Sequence, residues 1–383
     1  MIEYTKATTE DLEDLIDFIN MVFSQDHRPH DFKALLPKLY GDHRDTAGCH
    51  YIVRENGKIR AAVGVFPTTM HVGDTELRLG QLGSVSVHPY ARGKGYMKAL
   101  MQEAVRDSRE KGMDALVLGG LKNRYQYFGF MPTESAVRFT FLPENIRHLL
   151  SGTDSRALSF ERVSPGSPCL AEMMALYQSC PVYTDRESPE YFYDVLCSWN
   201  GEVYAVRRNG AFAGYLSASK DHREIYEYML RDLSDFAPML KAWFERQAPS
   251  SLRTRCGMYE REKCEVMGRY CESFESGIGH SWNIFHMEKV LLAWMKIKDR
   301  YEPLAPGVLT LNIKNADGTE ETCRLCWNSS GTECEKSVEI SRLDLIEAAF
   351  SEAVEFRSYG ECGTMKYQNW FPLPLFIAES DAC

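Results

Sequence analysis

The sequence predicts an α+β chain built from two mixed α/β domains and a smaller α+β domain, spanning residues 1–150, 151–285 and 286–383. Three observations predict it. Strand and helix patterns alternate through the first domain, as an α/β unit requires. A strand–turn–strand segment starting at Tyr51 recurs at Tyr204. From Phe285 the texture changes to a helix, an alternating strand and an apolar tail. A chain of 383 residues is long enough for two or three cores at about 150 residues each.

Residues 2–6 read as a short strand. Thr8 then offers a hydroxyl cap followed by acids, and Leu12, Leu15, Ile16 and Ile19 fall at helical spacing behind it. The run from Tyr51 to Val63 is a hairpin, because Asn56-Gly57 is the favoured pair for a two-residue type I′ turn. Residues 81–88 form another strand, closed by Pro89. Between Gly95 and Lys111, Met97, Leu100, Met101, Ala104 and Val105 share one helical face, and Gly112 ends the helix. Residues 114–118 complete the pattern as a buried strand.

Five of the seven residues from Tyr51 to Gly57 recur from Tyr204 to Gly210. Duplication of a whole α/β unit would leave this echo, and so would chance, since strand-Asn-Gly-strand is common. A strand at 223–230 and a helix at 233–246 fit a second, altered copy. In the third domain, residues 287–297 read as a helix, 308–318 as an alternating strand ending at Asp317-Gly318, and 342–354 as an amphipathic helix. The apolar tail from Trp370 to Phe376 is expected to dock rather than fray.

Hydrophobic residues at 44% and charged residues at 26% are ordinary for a soluble globular protein and exclude a disordered chain. With 44 Lys and Arg against 54 Asp and Glu, the net charge of −10 argues against gripping a phosphate backbone, so no nucleic-acid partner is expected. No apolar run approaches the ~20 residues of a membrane helix, and the first residues lack a signal-peptide layout. No membrane partner is expected, and the expected location is the cytoplasm. The twelve cysteines are scattered without a disulfide framework. Cys323-x-x-Cys326 lies in a strand, where residues three apart face opposite ways. His27, His30, His43, His50 and His71 lack helical spacing and completing ligands, so no metal is expected.

The stretch from Ser84 to Leu100 carries the chemistry. A strand runs into a turn containing Gly93 and Gly95, and a helix starts at once. The glycines let backbone amides converge, the helix start adds partial positive charge, and Arg92 and Lys94 add fixed charge. Together they offer a seat for a phosphate or pyrophosphate; alone, the run reads equally as a solvated basic turn. It is neither a Walker loop nor a complete dinucleotide fingerprint. One helix and one strand later comes Asn123-Arg-Tyr125-Gln-Tyr127-Phe128-Gly129-Phe130.

Strand, Arg-x-x-Gly loop, helix, strand, then Tyr-x-x-x-Gly-Phe resembles the GNAT acetyltransferases, in motif detail over residues 81–132. The whole chain resembles their enhanced intracellular survival (Eis) subgroup, in which a GNAT domain, a degenerate GNAT copy and a sterol-carrier-protein-like domain follow one another. The resemblance implies acetyl-CoA as cosubstrate, with its pyrophosphate on the loop of Arg92, Gly93, Lys94, Gly95, Tyr96 and Met97. It implies that the pantetheine arm pairs with Val85, Ser86 and Val87, and that the oxyanion lies near the Val85 amide. Met97 stands where the family carries Gly or Ala. The second copy shows no such loop, so only the first is expected to bind coenzyme.

The resemblance further implies Tyr125 as the general acid that protonates the departing thiolate, with Tyr127 its nearest rival. It implies a C-terminal carboxylate, here that of Cys383, reaching the site as base or as a positioning group. The subgroup usually ends in an aromatic residue, from which Cys383 departs. Phe23 and Asp26 fall in the region of the acceptor pocket; Asp26 would attract a cationic amine, with Glu379 and Asp381 near the tail to assist. The implied reaction is acetyl transfer to a primary amine of an aminoglycoside-, polyamine- or lysine-like acceptor, by a homo-oligomer, commonly a hexamer. The competing reading is a non-catalytic acyl-CoA or lipid-binding protein or sensor. Its tunnel would be lined by Phe371, Leu373, Leu375 and Phe376, which are expected instead to plug it.

Overall fold

The computed structural model describes residues 1–25, 29–277, 279–328, 335–351 and 367–383. In the first part of the chain the strands are Ile2–Lys6 (β1), His50–Glu55 (β2), Lys58–Val72 (β3), Thr75–Val87 (β4), Ala115–Leu118 (β5), Met131–Pro132 (β6) and Ala136–Phe141 (β7). The middle holds Leu158–Arg162 (β8), Val182–Thr184 (β9), Gly201–Arg208 (β10), Ala211–Ser219 (β11), Glu224–Leu230 (β12), Leu252–Gly257 (β13), Ser273–Gly277 (β14) and Ser281–Ile284 (β15). The last part holds Gly307–Lys314 (β16), Glu320–Trp327 (β17) and Glu335–Ser341 (β18).

These strands make two large sheets that repeat one another. The first runs β1-β2-β3-β4-β5-β15-β6, with β9 added along β3. The second, in the same direction, runs β8-β10-β11-β12-β13-β7-β14. Each has a single parallel pair at the same place, β4 with β5 and β12 with β13. The sixth position is exchanged: β15 sits in the first sheet and β7 in the second. Residue 150 is therefore not a sheet boundary, because β7 precedes it and pairs with β13 and β14.

The recurring heptad has a structural counterpart. Asn56 and Gly57 both take positive φ (52° and 78°), as do Asn209 and Gly210 (50° and 83°), which a type I′ turn demands. The register slips at the same step of each hairpin, between Val53 and Arg54 and between Val206 and Arg207. Tyr51, Val53, Tyr204 and Val206 are all buried. The repeated residues thus fix one bulged hairpin twice.

The helix Tyr96–Glu110 follows β4, and Gly112 closes its end at φ +69°. Its Leu100, Met101 and Ala104 bury against Tyr51, Val63 and Leu116. The helix Phe236–Gln247 follows β12 in the corresponding place. The third sheet, β17-β16-β18, packs with the helices Met287–Asp299 and Arg342–Phe350. The predicted helix at 342–354 is thus seen to Phe350; residues 352–354 lie outside the described residues.

One core joins this sheet to the first: Val72, Leu77, Trp282, Trp294, Leu311, Trp370, Leu373 and Leu375 belong to a single buried cluster. Burying one such side chain is worth about 1.5–3 kcal/mol. The tail is fixed by backbone bonds as well, Leu373 N to Ala349 O at 2.7 Å and Ser135 N to Leu375 O at 2.8 Å. Leu373 and Leu375 are buried in the shared core, Phe376 is buried against Tyr259, and Phe371 is half-buried. Cys323 is buried and Cys326 exposed, as strand alternation requires. Among the described residues, no helix is long and apolar enough to cross a membrane.

Candidate active site

The site begins with a defect in β4. Gly83 pairs with Gly64 and Ser86 with Ala62, so Ser84 and Val85 together face only Val63. This is a β-bulge, and Ser84 takes φ +55° to make it. Beyond the bulge β4 has β3 on one side only. Its pairing with β5 is confined to residues 79–81 against 115–117. Val85, Ser86 and Val87 therefore present a strand edge without a strand partner on the β5 side, among the described residues.

The open edge leads into the glycine turn. Pro89–Ala91 form a short 3-10 turn, capped by His88 Nδ1 accepting from Tyr90 N at 3.2 Å. Gly93 and Gly95 both take φ +81°, a left-handed conformation that a side chain would strain, and Gly95 caps the helix that starts at Tyr96. An open cleft of about 700 Å³ lies here, lined by Phe23, Val85, Ser86, Val87, Arg92, Gly93, Gly95, Tyr96 and Met97. Val22, Ala91, Lys98 and Arg124 complete the lining. Three cations thus border one concave surface on an acidic protein, an arrangement that attracts a polyphosphate. Lys94 does not line the cleft: its ammonium holds Glu55 at 2.8 Å. Lys98 and Arg124 were not singled out from the sequence, although Lys98 sits in the first turn after Gly95 and Arg124 directly precedes Tyr125.

Tyr125 is buried beside the cleft rather than among its lining residues. Its ring packs over the end of β5, where a Cβ on Gly120 would meet Tyr125 Cε2 at 2.5 Å. Phe130 belongs to the same buried cluster, its ring edge-on at 6.5 Å, and half-buried Val85 and Met97 pack against that cluster. Burial raises the phenol's pKa, with the Arg124 charge opposing, so Tyr125 keeps its proton at neutral pH. Tyr127, by contrast, is 90% exposed.

The bulge is supported from behind. Tyr40 OH accepts from Ser84 Oγ and donates to His50 Nε2 at 3.0 Å, and His50 Nδ1 donates to the Thr46 carbonyl at 2.9 Å. A carbonyl only accepts, which places the proton on Nδ1 and leaves Nε2 free to accept. Burial lowers the His50 pKa to about 4, so the imidazole is neutral. Tyr40 was not singled out in the sequence, where His50 was weighed only as a metal ligand and Ser84 only as the start of the stretch leading to the glycine turn.

The tail ends against the same bulge. A Cβ on Gly83 would lie 3.2 Å from Cys383 Cβ. The buried Lys38 ammonium donates to the carbonyls of Ser380 and Ala382, each at 2.6 Å. Burial pushes the Cys383 thiol up to about 12, against the Lys38 charge, so the thiol stays protonated. Phe23 lines the cleft, its ring edge-on to Phe32 at 5.1 Å. Asp26 and His27 lie outside the described residues.

The two tail carboxylates are already engaged. Asp381 accepts from buried Arg186 at 3.0 Å and from Tyr177 OH at 2.8 Å, and Glu379 pairs with Arg255 at 2.6 Å. In the second sheet the place of the glycine loop is taken by acids. Asp232 accepts from Ser234 N at 2.8 Å and Asp235 pairs with Arg208, just before the helix Phe236–Gln247. Asp232 caps the short turn Leu233–Asp235 that leads into the helix, and the two carboxylates repel a phosphate there.

Residues 3–132 match the acetyltransferase (GNAT) domain family. No curated protein sequence gives a significant match. Among solved structures the chain is similar to a GCN5-related N-acetyltransferase from Kribbella flavida, with TM-score 0.61 and 15% identity over 91% of this chain and 88% of that one. It is also similar to a probable N-acyltransferase from Enterococcus faecalis, with TM-score 0.63 and 14% identity over 89% and 88%. A third relative in fold is Eis1 from Mycobacterium abscessus, with TM-score 0.60 and 10% identity over 91% and 89%. At these identities the likeness is one of fold. The domain match identifies residues 3–132, which carry most of the first sheet and the helix Tyr96–Glu110, as a GNAT acetyltransferase domain.

Proposed function

We propose that the cleft binds acetyl-CoA and that the protein transfers its acetyl group to a primary amine of a cationic acceptor. The observation that carries this is the open, bulged edge of β4 running directly into the two-glycine turn bordered by Arg92, Lys98 and Arg124. The edge can pair with an amide-bearing arm as a strand would, and the turn can receive its pyrophosphate. Val85 stands at the bulge without a register partner of its own, and its amide is the donor we assign to the developing oxyanion. Tyr125, buried and protonated, supplies the proton for the leaving thiolate. Cys383, held beside Gly83, is assigned the acceptor side, its carboxyl group positioning the amine and taking its proton through water. Phe23 forms the apolar wall of that side.

The second sheet repeats the first in strand order yet carries acids at its loop, which supports reading it as a degenerate GNAT copy without coenzyme. The small third sheet with its helices and docked tail is consistent with a sterol-carrier-like unit that serves as a seat for the tail. A homo-oligomer is the assembly we expect, and sedimentation as a monomer would count against it. Titration calorimetry with acetyl-CoA tests the cofactor reading. Saturable binding weakened in Arg92→Ala and Arg124→Ala is expected, and absence of binding to the intact protein would overturn it. Comparing a diamine with a neutral monoamine tests the acceptor class; equal kcat/KM for both would remove the cationic part.

A further inference from the structure

We propose that Cys256 and Cys264 form a reversible disulfide on exposure to a peroxide, closing the short loop on which the C-terminal tail is seated. Their sulfurs are 3.3 Å apart, in contact and without a bond. Cys256 is buried in β13, where it pairs with Val137 of β7, and Cys264 is half-buried on the helix Arg261–Gly268. An oxidant can therefore reach the second thiol while the first waits behind it. The hydrogen bond from Cys256 lowers the Cys264 pKa, with Arg261 and Lys263 favouring the thiolate and burial and Glu260 opposing it; the Cys256 thiol is held protonated. Attacker and resolver are thereby distinguished by position and by charge.

The step balances. The Cys264 thiolate attacks one peroxide oxygen, giving a sulfenic acid and hydroxide. The Cys256 sulfur then attacks Cys264 Sγ while its proton passes to the sulfenic oxygen, which leaves as water; the hydroxide of the first step takes up the proton that Cys264 lost on forming its thiolate. Two thiols lose two electrons and two protons, and hydrogen peroxide becomes two waters.

The enclosed loop touches the tail directly. Tyr259 packs on Phe376 with ring centroids 6.4 Å apart, and a Cβ on Gly257 would meet Phe376 Cδ1 at 3.0 Å. The loop closes on itself through Gly257 N to Glu260 Oε2 at 3.0 Å, and Arg255, next to Cys256, holds Glu379 at 2.6 Å. The bond would stiffen this seat, and with it the path by which residues 376–383 reach the bulge of β4.

The test treats the intact protein with stoichiometric hydrogen peroxide, alkylates remaining thiols under denaturing conditions and maps non-reduced peptides. The expected result is a peptide linking Cys256 to Cys264, reopened by dithiothreitol, with slower hydrogen exchange over 257–263 and 376–383. In Cys256→Ser, Cys264 should instead accumulate as a sulfenic acid trapped by dimedone. Cys256 remaining fully alkylatable after oxidation of the native protein would overturn the proposal. Linkage without any change in exchange at 376–383 would overturn its connection to the tail.

Discussion

At the scale of the residue, the role we propose for Tyr125 depends on its being kept neutral. Burial raises its pKa above the ordinary tyrosine value of about 10, so it stays able to donate across the physiological range. Tyr125→Phe removes the proton and keeps the ring that fills the space over Gly120. We expect kcat to fall by about 10²–10⁴ with acetyl-CoA affinity little changed, read by stopped-time turnover and calorimetry. His50 gives a second prediction. Its pKa is lowered by burial to about 4 in the folded protein, against about 6.5 unfolded. The unfolded chain therefore takes up a proton there first, and the contribution of His50 to stability is lost as pH falls from 6.5 towards 4. In His50→Gln, denaturant midpoints should depend less steeply on pH across that window; an unchanged slope would contradict the neutral His50–Tyr40–Ser84 relay. Tyr125 was legible because a motif surrounds it. Tyr40 and His50 were not, because their roles come from a contact with Ser84 across the fold and no local pattern records it.

At the scale of the element, the site is a strand edge plus a turn, and both depend on backbone conformation. Gly95→Ala would place a Cβ at φ +81° at the start of the helix, costing about 1–2 kcal/mol. It should raise the KM for acetyl-CoA several-fold while leaving far-ultraviolet circular dichroism unchanged; an unaltered KM would show that the turn does not seat the ligand. The glycines of this turn and of the Asn-Gly hairpins were readable, since positive φ selects a residue type. The bulge at Ser84 was not, because serine carries no such signal. The exchange of β7 and β15 was hidden for a different reason. Short apolar strands satisfy either sheet locally, and only long-range packing decides between them.

At the scale of the whole molecule, exchanged strands and a shared core make the parts interdependent. A fragment of residues 1–150 lacks β15, which separates β5 from β6, and carries β7 without the sheet to which it belongs. We expect that fragment not to fold, and the full chain to unfold in one calorimetric transition. A cooperatively folded fragment 1–150 would refute this. The tail is tied to the middle of the chain by Arg186, which joins Asp381 to Glu227 with its guanidinium 1% exposed. Arg186→Met would strand two buried carboxylates and should cost about 3–5 kcal/mol by denaturant unfolding. The sequence reading foresaw a docked tail but offered Asp381 and Glu379 to the substrate; in the fold their charges are used to fasten the tail.

The central claim is that the tail and the β4 bulge together make an acetyl-transfer site, and one measurement addresses it most directly. Release of free CoA from acetyl-CoA is followed with a diamine acceptor, the acetylated amine identified by mass spectrometry, for the native protein and for one extended beyond Cys383. The account predicts saturable turnover in the native protein and its loss on extension, with acetyl-CoA affinity retained. Tight acetyl-CoA binding without acetylation of any amine would contradict it and leave a sensor in place of a transferase.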